Sequence, residues 1–310
     1  MRYYFAPMEG LTDSIYRSLH HRYFPGVDLY FMPFFSPTVH RTLSKKEQRD
    51  LPPAGAVPAV PQLLTKNTED FLWAAGLCRD LGYEQVDLNL GCPSGTVVSK
   101  GKGSGMLGDL DALDAFLWEI FHKTPIEISV KTRLGLSEME EFPEILNIYN
   151  RYPIKELTVH PRLRVDFYKH PVRMEGFRYA LENSKNPICY NGNLCSRRDM
   201  EAFSDDYPQV EALMLGRGLI GDPGMLGGTD VKTLETFYEE LLDAYTEAFG
   251  SARNAMFRLK ENWRYLLLHF EDSEKLGKKL RKTTDLQEYK HITYEIFHTL
   301  PFRASLDPDW

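Results

Sequence analysis

A (β/α)8 barrel followed by a small C-terminal bundle of helices is the architecture this sequence predicts, and three observations predict it. Short apolar runs that end in polar or glycine residues occur eight times before about residue 229. Amphipathic segments stand between several of them. Beyond that point the punctuation changes, because residues 231–300 hold no glycine except Gly250 and Gly277 and no proline. Eight strand-then-helix units over roughly 230 residues suit a barrel near the small end of its size range.

In chain order, the first run is 3–8, which stops at Glu9-Gly10, and the second is 29–32. The third, 59–64, carries Gln62. The fourth, 86–90, alternates Val86, Leu88 and Leu90 with Asp87 and Asn89, the period of a strand, and leaves the sheet at Gly91-Cys92-Pro93. Runs 126–130, 157–160, 188–190 and 212–215 follow, with helical patterns at 13–23, 68–81, 110–122, 139–149 and 196–203. In the tail, Leu234, Phe237, Leu241 and Tyr245 keep helical spacing, and Met256, Leu259, Trp263, Leu266 and Leu267 repeat it. Three or four helices are expected there, dividing the chain into a barrel domain at 1–230 and a helical domain at 231–310.

A doubly wound dinucleotide-binding sheet is the competing fold. Its support is Gly216-Arg217-Gly218-Leu219-Ile220-Gly221, a literal GxGxxG after an apolar run. Such a turn should open a long helix, yet Asp222-Pro223-Gly224 breaks the chain at once. A glycine turn after the last barrel strand, offering backbone amides to a phosphate, accounts for the same residues.

With 310 residues, 43% hydrophobic and 26% charged, the chain can bury a full core. No stretch reaches the roughly 20 apolar residues of a membrane span, and Pro7, Glu9 and Gly10 interrupt the opening before a signal-peptide core forms. Cys78, Cys92, Cys189 and Cys195 lack CxxC spacing, so a cytoplasmic protein with free thiols is expected. A net charge of −7 excludes a uniformly basic nucleic-acid coat. Residues 251–290 nevertheless hold 10 Lys or Arg against 6 Asp or Glu, which leaves −11 on the remainder and a local basic face on the tail. Arg253, Arg258, Arg264, Lys278, Lys279 and Arg281 are the candidates there for phosphate contacts.

Barrel enzymes keep their chemistry at the carboxyl ends of the strands. Read as one list, those ends give Pro7 and Met8, Gln62, Asn89 and Cys92, Lys131 and Arg133, His160 and Arg162, Asn191-Gly192-Asn193, and Gly216-Arg217-Gly218. No cluster has metal-ligand spacing, and no Ser-His-Asp set stands out. Cationic Lys131 and the amide of Gln62 suit a planar cofactor whose reduced form is anionic, and the turns at Gly192 and Gly216 suit its phosphate. FMN answers that description. After Cys92-Pro93 five glycines follow up to Gly108, an arrangement suited to a mobile lid over a pocket.

APMEGLTD, DLNLGCP with the glycine segment after it, VKTRLG, LTVHPR, NGN and LGRG together resemble the flavin-dependent tRNA-dihydrouridine synthases, in order and spacing, across about residues 1–225. The resemblance implies reduction of a uridine carbon–carbon double bond in folded RNA, transfer RNA first and ribosomal RNA as an alternative, with NADPH recharging bound FMN. It implies that Pro7, Met8, Gln62, Lys131, His160, Asn191, Gly192, Asn193, Gly216 and Arg217 hold FMN, and that Cys92 is the general acid for carbon 5 of the uracil. Asn89, Arg133 and Arg162 become candidate substrate ligands. No membrane and no obligatory protein partner is implied. The loop after His160 departs from the family pattern: Pro161 precedes Arg162, and Tyr168-Lys169-His170-Pro171-Val172 replaces a glycine-containing stretch. Two other readings stand beside this one. They are an FMN reductase of a free pyrimidine or similar small acceptor, and a catalytically silent RNA-binding module.

Overall fold

The computed structural model describes residues 1–306 and 308 of the chain. Its strands are β1 (Arg2–Phe5), β2 (Leu29–Phe31), β3 (Ala59–Val60), β4 (Gln62–Leu63), β5 (Gln85–Leu90), β6 (Glu127–Arg133), β7 (Leu157–His160), β8 (Ile188–Tyr190) and β9 (Ala212–Leu215). They form one sheet in the order β3-β2-β1-β9-β8-β7-β6-β5-β4. Every registered pair is parallel.

The two ends of that order, β3 and β4, are halves of the single run 59–64, divided at Pro61. Proline has no N–H to give a ladder, but its carbonyl still accepts, and here it takes Asp87 N at 2.8 Å. Ala59 and Val60 pair with β2, while Gln62 and Leu63 pair with β5. The sheet therefore returns on itself through one staggered stave. The eight predicted runs are the eight staves of a (β/α)8 barrel.

The helices are α1 (Ser14–Tyr23), α2 (Lys45–Asp50), α3 (Thr68–Asp80), α4 (Gly95–Val98), α5 (Leu110–Lys123), α6 (Phe142–Tyr149), α7 (Met174–Asn183), α8 (Arg197–Asp206) and α9 (Arg217–Gly221), then α10 (Val231–Phe249), α11 (Ala252–Leu266), α12 (Glu274–Lys282) and α13 (Leu286–Thr299). The amphipathic segments are found where periodicity put them. In α3, for example, Phe71, Ala74, Ala75 and Cys78 are buried at i, i+3, i+4 and i+7, and the Asn67 side chain accepts from Asp70 N as the cap. Periodicity missed α2, which buries nothing and is held by a Ser44–Glu47 capping box. It also missed α7, whose buried face is only Gly176, Phe177 and Ala180. The glycine segment after Cys92 is folded as α4 and a 3-10 turn, Gly103–Gly108, rather than as an open loop.

Two compact units result, one of residues 1–7, 28–192 and 208–214, the other of 8–27, 193–207 and everything from 215. In the first, one side of the barrel interior is apolar, filled by Tyr4, Ala6, Phe31, Val60, Cys189, Ala212 and Met214. The staves β4 to β7 instead carry buried Gln62, Asp87, Asn89, Ser129 and Thr158, while Val86, Leu88 and Leu90 take the opposite face of β5. In the second unit, α10 ends at Gly250 in the left-handed conformation (φ 61°), which glycine adopts without steric penalty. Phe237 of α10 packs edge-on against Tyr16 and Phe24, which ties α1 to the tail helices. The tail contributes four α-helices, at the upper end of the expected number.

Candidate active site

Parallel register sets the site in the first unit. Gln62 is opposite Asp87, Asn89 opposite Lys131, and Arg133 opposite His160. A directional chain of amides joins the first of these. Asn89 Nδ2 donates to Gln62 Oε1 (2.8 Å), and Gln62 Nε2 donates to Asp87 Oδ2 (2.7 Å). Ser129 Oγ donates to Asp87 Oδ1 (2.7 Å) and accepts from Gln85 Nε2 (2.8 Å). Gln62, Asp87 and Ser129 are each fully buried, so every bond in this chain is shielded from competing water.

Asn89 also shapes the thiol turn. Its Oδ1 accepts the N–H groups of Gly91 (3.1 Å) and Cys92 (2.9 Å), and Cys92 itself is half-buried. From the glycine segment, Ser104 donates its N–H (3.2 Å) and its hydroxyl (2.8 Å) to Cys92 O. Gly103 lies so close that a Cβ there would stand 3.0 Å from Cys92 Cβ. The turn is thus bracketed from both sides, and the other three cysteines are buried elsewhere.

Burial dominates the electrostatics. It pulls Lys131 down to about 8, with Arg133 adding to the fall and Asp87 opposing it. It pushes Asp87 up to about 6, against the hydrogen bonds of Gln62 and Ser129 and the charge of Lys131. Among the described residues Lys131 Nζ meets no hydrogen-bond partner, so its protons are available to a ligand.

Arg133 and Arg162, the expected substrate ligands, are 1% and 2% exposed and are engaged by the protein. Arg133 donates from Nε to Gly91 O (2.9 Å) and from one terminal nitrogen to Leu163 O (2.8 Å) and Phe167 O (3.1 Å). Arg162 donates to His170 O (2.7 Å) and His160 Nε2 (3.0 Å). Because a guanidinium only donates, His160 Nε2 is the unprotonated nitrogen and a neutral ring carries its proton on Nδ1. Tyr168, 55% exposed, lies over both guanidinium groups and beside the His160 ring. Sequence reading marked Tyr168 only as a departure, and it passed over Asp87, Ser104 and Ser129, whose roles depend on cross-strand and loop contacts.

Of the remaining candidates, Pro7, Asn191 and Gly192 belong to the first unit, and Met8, Asn193, Gly216 and Arg217 to the second. Asn191 Nδ2 donates to Met214 O (2.7 Å). In the second unit Arg217 donates to Asn193 Oδ1 (2.9 Å), and α9 ends at Gly221 after five residues, as the Asp222-Pro223 break requires. Arg258 is removed from the phosphate candidates. It bonds Asp13 Oδ2 (2.8 Å) while Tyr245 Oη bonds Asp13 Oδ1 (2.8 Å), because the buried Asp13 carboxylate that caps α1 needs compensation. Among the described residues no group of three His, Cys, Asp or Glu could hold a metal, and no helix is long and apolar enough to cross a membrane.

The chain is 30% identical over 230 residues to a tRNA-dihydrouridine(16) synthase of Pseudomonas putida, covering 71% of this chain and 70% of that one. A synthase of the same name from Shewanella oneidensis is 27% identical and is covered over 99% of its length by 97% of this chain. A tRNA-dihydrouridine synthase B of Pasteurella multocida is 27% identical over 72% of this chain and 67% of its own. Among solved structures, a 2-naphthoyl-CoA reductase complex has a TM-score of 0.53 at 11% identity, covering 81% of this chain and 50% of that one. A morphinone reductase mutant has 0.51 at 12%, covering 72% and 85%. These last two share the barrel fold. The dihydrouridine synthase (Dus) profile matches residues 4–293, so the chain belongs to the dihydrouridine synthase family and is an enzyme of that family.

Proposed function

We propose that this enzyme reduces a uridine of folded RNA, transfer RNA in the first place, to 5,6-dihydrouridine, with bound FMN as redox cofactor and NADPH as reductant. The observation that carries the reading is the half-buried Cys92, bracketed by Asn89 and Ser104, on the turn after the strand that pairs with that of the unpartnered Lys131. The names of the relatives supply the substrate class.

The donor set fits a flavin. Lys131 offers a half-buried cation without a hydrogen-bond partner, which suits a ring that becomes anionic on reduction. Gln62 is fully buried and held in one orientation by bonds on both sides, so it would support the site by fixing the Asn89 amide. Within the first unit, Asn191 and Gly192 would serve the phosphate and Pro7 the ring edge. FMN, when bound, would supply the hydride for carbon 6, which no side chain can provide.

The chain's own residues do the rest. Cys92 holds a proton for carbon 5, where density left by hydride addition needs one. Asn89 fixes the turn on which that thiol stands. His160, its Nε2 occupied by Arg162, would present Nδ1–H as a donor. Arg133 braces the loops after β5 and β7, since its Nε and one terminal nitrogen end on their carbonyls. A base paired within a duplex cannot reach such a pocket, so the target uridine is unstacked or flipped in.

Mass-spectrometric mapping of dihydrouridine in transfer and ribosomal RNA, from cells with and without the gene, tests the proposal. Loss at defined uridines, restored by wild type and not by Cys92→Ala with unchanged FMN content, is expected. The chemical step should fall by about 10²–10⁴-fold. No change at any uridine, together with turnover of a free pyrimidine, would replace RNA as the substrate.

A further inference from the structure

Three lysines at the glycine segment take no part in the chemistry above. Lys66 follows β4, and Lys100 and Lys102 lie on the segment after Cys92, all within the first unit. Lys102 is a fixed cation. Its Nζ donates to Ser36 Oγ at 2.8 Å, and Ser36 Oγ donates onward to Leu64 O at 2.7 Å. Lys66 rests against the same segment, since a Cβ on Gly101 would come within 3.2 Å of its Nζ. Gly101 has φ +66°, so glycine there keeps the turn unstrained and the ammonium close.

Like charges held together are unfavourable until an anion joins them. Partial burial holds the Lys102 ammonium below its ordinary range, Lys100 and Lys66 add to the fall, and Asp70 is the carboxylate that opposes it. Lys100 and Lys66 are thus the cations, and Asp70 the carboxylate, that act on Lys102, which lies two residues from Ser104, the residue that clamps Cys92 O. An anion bound there would lie beside the turn that carries the thiol.

We infer that Lys66, Lys100 and Lys102 clamp a backbone phosphate of the RNA strand beside the uridine that enters the pocket. The inference rests on the RNA-reductase reading. A strand that delivers a base to Cys92 carries a phosphate on each side of that nucleotide, and a chain with net charge −7 offers it little general attraction. A fixed local cluster supplies both affinity and register. The phosphates of a nicotinamide dinucleotide have the same chemistry, and kinetics separates the two sources.

The test compares the FMN-loaded full chain with its Lys66→Met/Lys100→Met/Lys102→Met variant, and with Lys102→Met and Lys102→Arg alone. Transfer RNA transcripts are titrated at several salt concentrations, and NADPH oxidation by oxygen is followed without RNA. The triple variant should bind RNA about tenfold more weakly, with a salt slope shallower by about 0.7–0.9 for each phosphate that is no longer neutralised. Its kcat at saturating RNA and its RNA-free NADPH oxidation should be unchanged, and Lys102→Arg should retain most of the affinity. An unchanged RNA affinity and slope would overturn the inference. So would a raised KM for NADPH with RNA binding intact, which assigns the cluster to the reductant. Absence of dihydrouridine with wild-type enzyme defeats the functional reading alone, because the salt slope still reports on the clamp.

Discussion

Replacing Asn89 by alanine should uncouple the thiol turn from the barrel. The side chain makes three bonds, to Gly91 N, Cys92 N and Gln62 Oε1. Gln62 is fully buried, so its orphaned oxygen costs about 1–3 kcal/mol. The two turn N–H groups are half-buried and regain some hydration, adding roughly 0.5 kcal/mol each. We expect a destabilisation of about 2–4 kcal/mol by urea unfolding. Asn89→Asp should separate the two functions. Its carboxylate still accepts both turn N–H groups but sets oxygen against Gln62 Oε1. Flipping the Gln62 amide only moves the clash to Asp87, because the chain of bonds is directional. Iodoacetamide labelling reads the turn directly, since Cys92 is the half-buried thiol among four. Labelling should quicken severalfold in Asn89→Ala and much less in Asn89→Asp. A loss under about 0.5 kcal/mol with unchanged labelling would refute the bracket.

Other substitutions probe the remaining elements. FMN affinity of the flavin-free protein should weaken as pH rises through about 8, where Lys131 loses its proton, and Asp87→Asn should move that limb to lower pH by removing an opposing charge. With the Lys131 pKa below its unfolded value, the unfolded chain binds the proton more tightly between about 8 and 10.5, so the contribution of this group to folding rises across that window. Arg133→Lys should destabilise by about 2–4 kcal/mol in urea, because one ammonium cannot reach carbonyls on two loops, and loss of RNA affinity without loss of stability would contradict that role. Arg258→Met should cost about 3–5 kcal/mol by leaving the buried Asp13 carboxylate short of a cation, whereas Tyr245→Phe should cost about 1 kcal/mol, both by thermal unfolding.

Legibility differed by element. The staves could be read because each is short, apolar and followed by polar residues, and Val86 to Leu90 show the period directly. The run 59–64 gave no sign that it would join two neighbours at different residues, since that depends on the stagger of a closed ring. Helix α7 escaped because a face of Gly176, Phe177 and Ala180 carries little periodic signal. The resemblance marks Arg133 and Arg162 as substrate ligands, and the basic tail marks Arg258 as a phosphate contact. In the folded chain each also donates to a carbonyl or carboxylate of the protein, which residue type does not disclose.

By itself the sequence determined the eight staves, the helical tail, the family and the residue types at the strand ends. These follow from local periodicity and from motifs contiguous in the chain. The tertiary structure alone decided which of those residues work as a unit. Parallel register set Gln62 beside Asp87 and Asn89 beside Lys131, and burial then moved Lys131 and Asp87 toward neutrality. Register, burial and the satisfaction of polar groups belong to pairs of residues far apart in the chain, and only the folded arrangement brings them into contact.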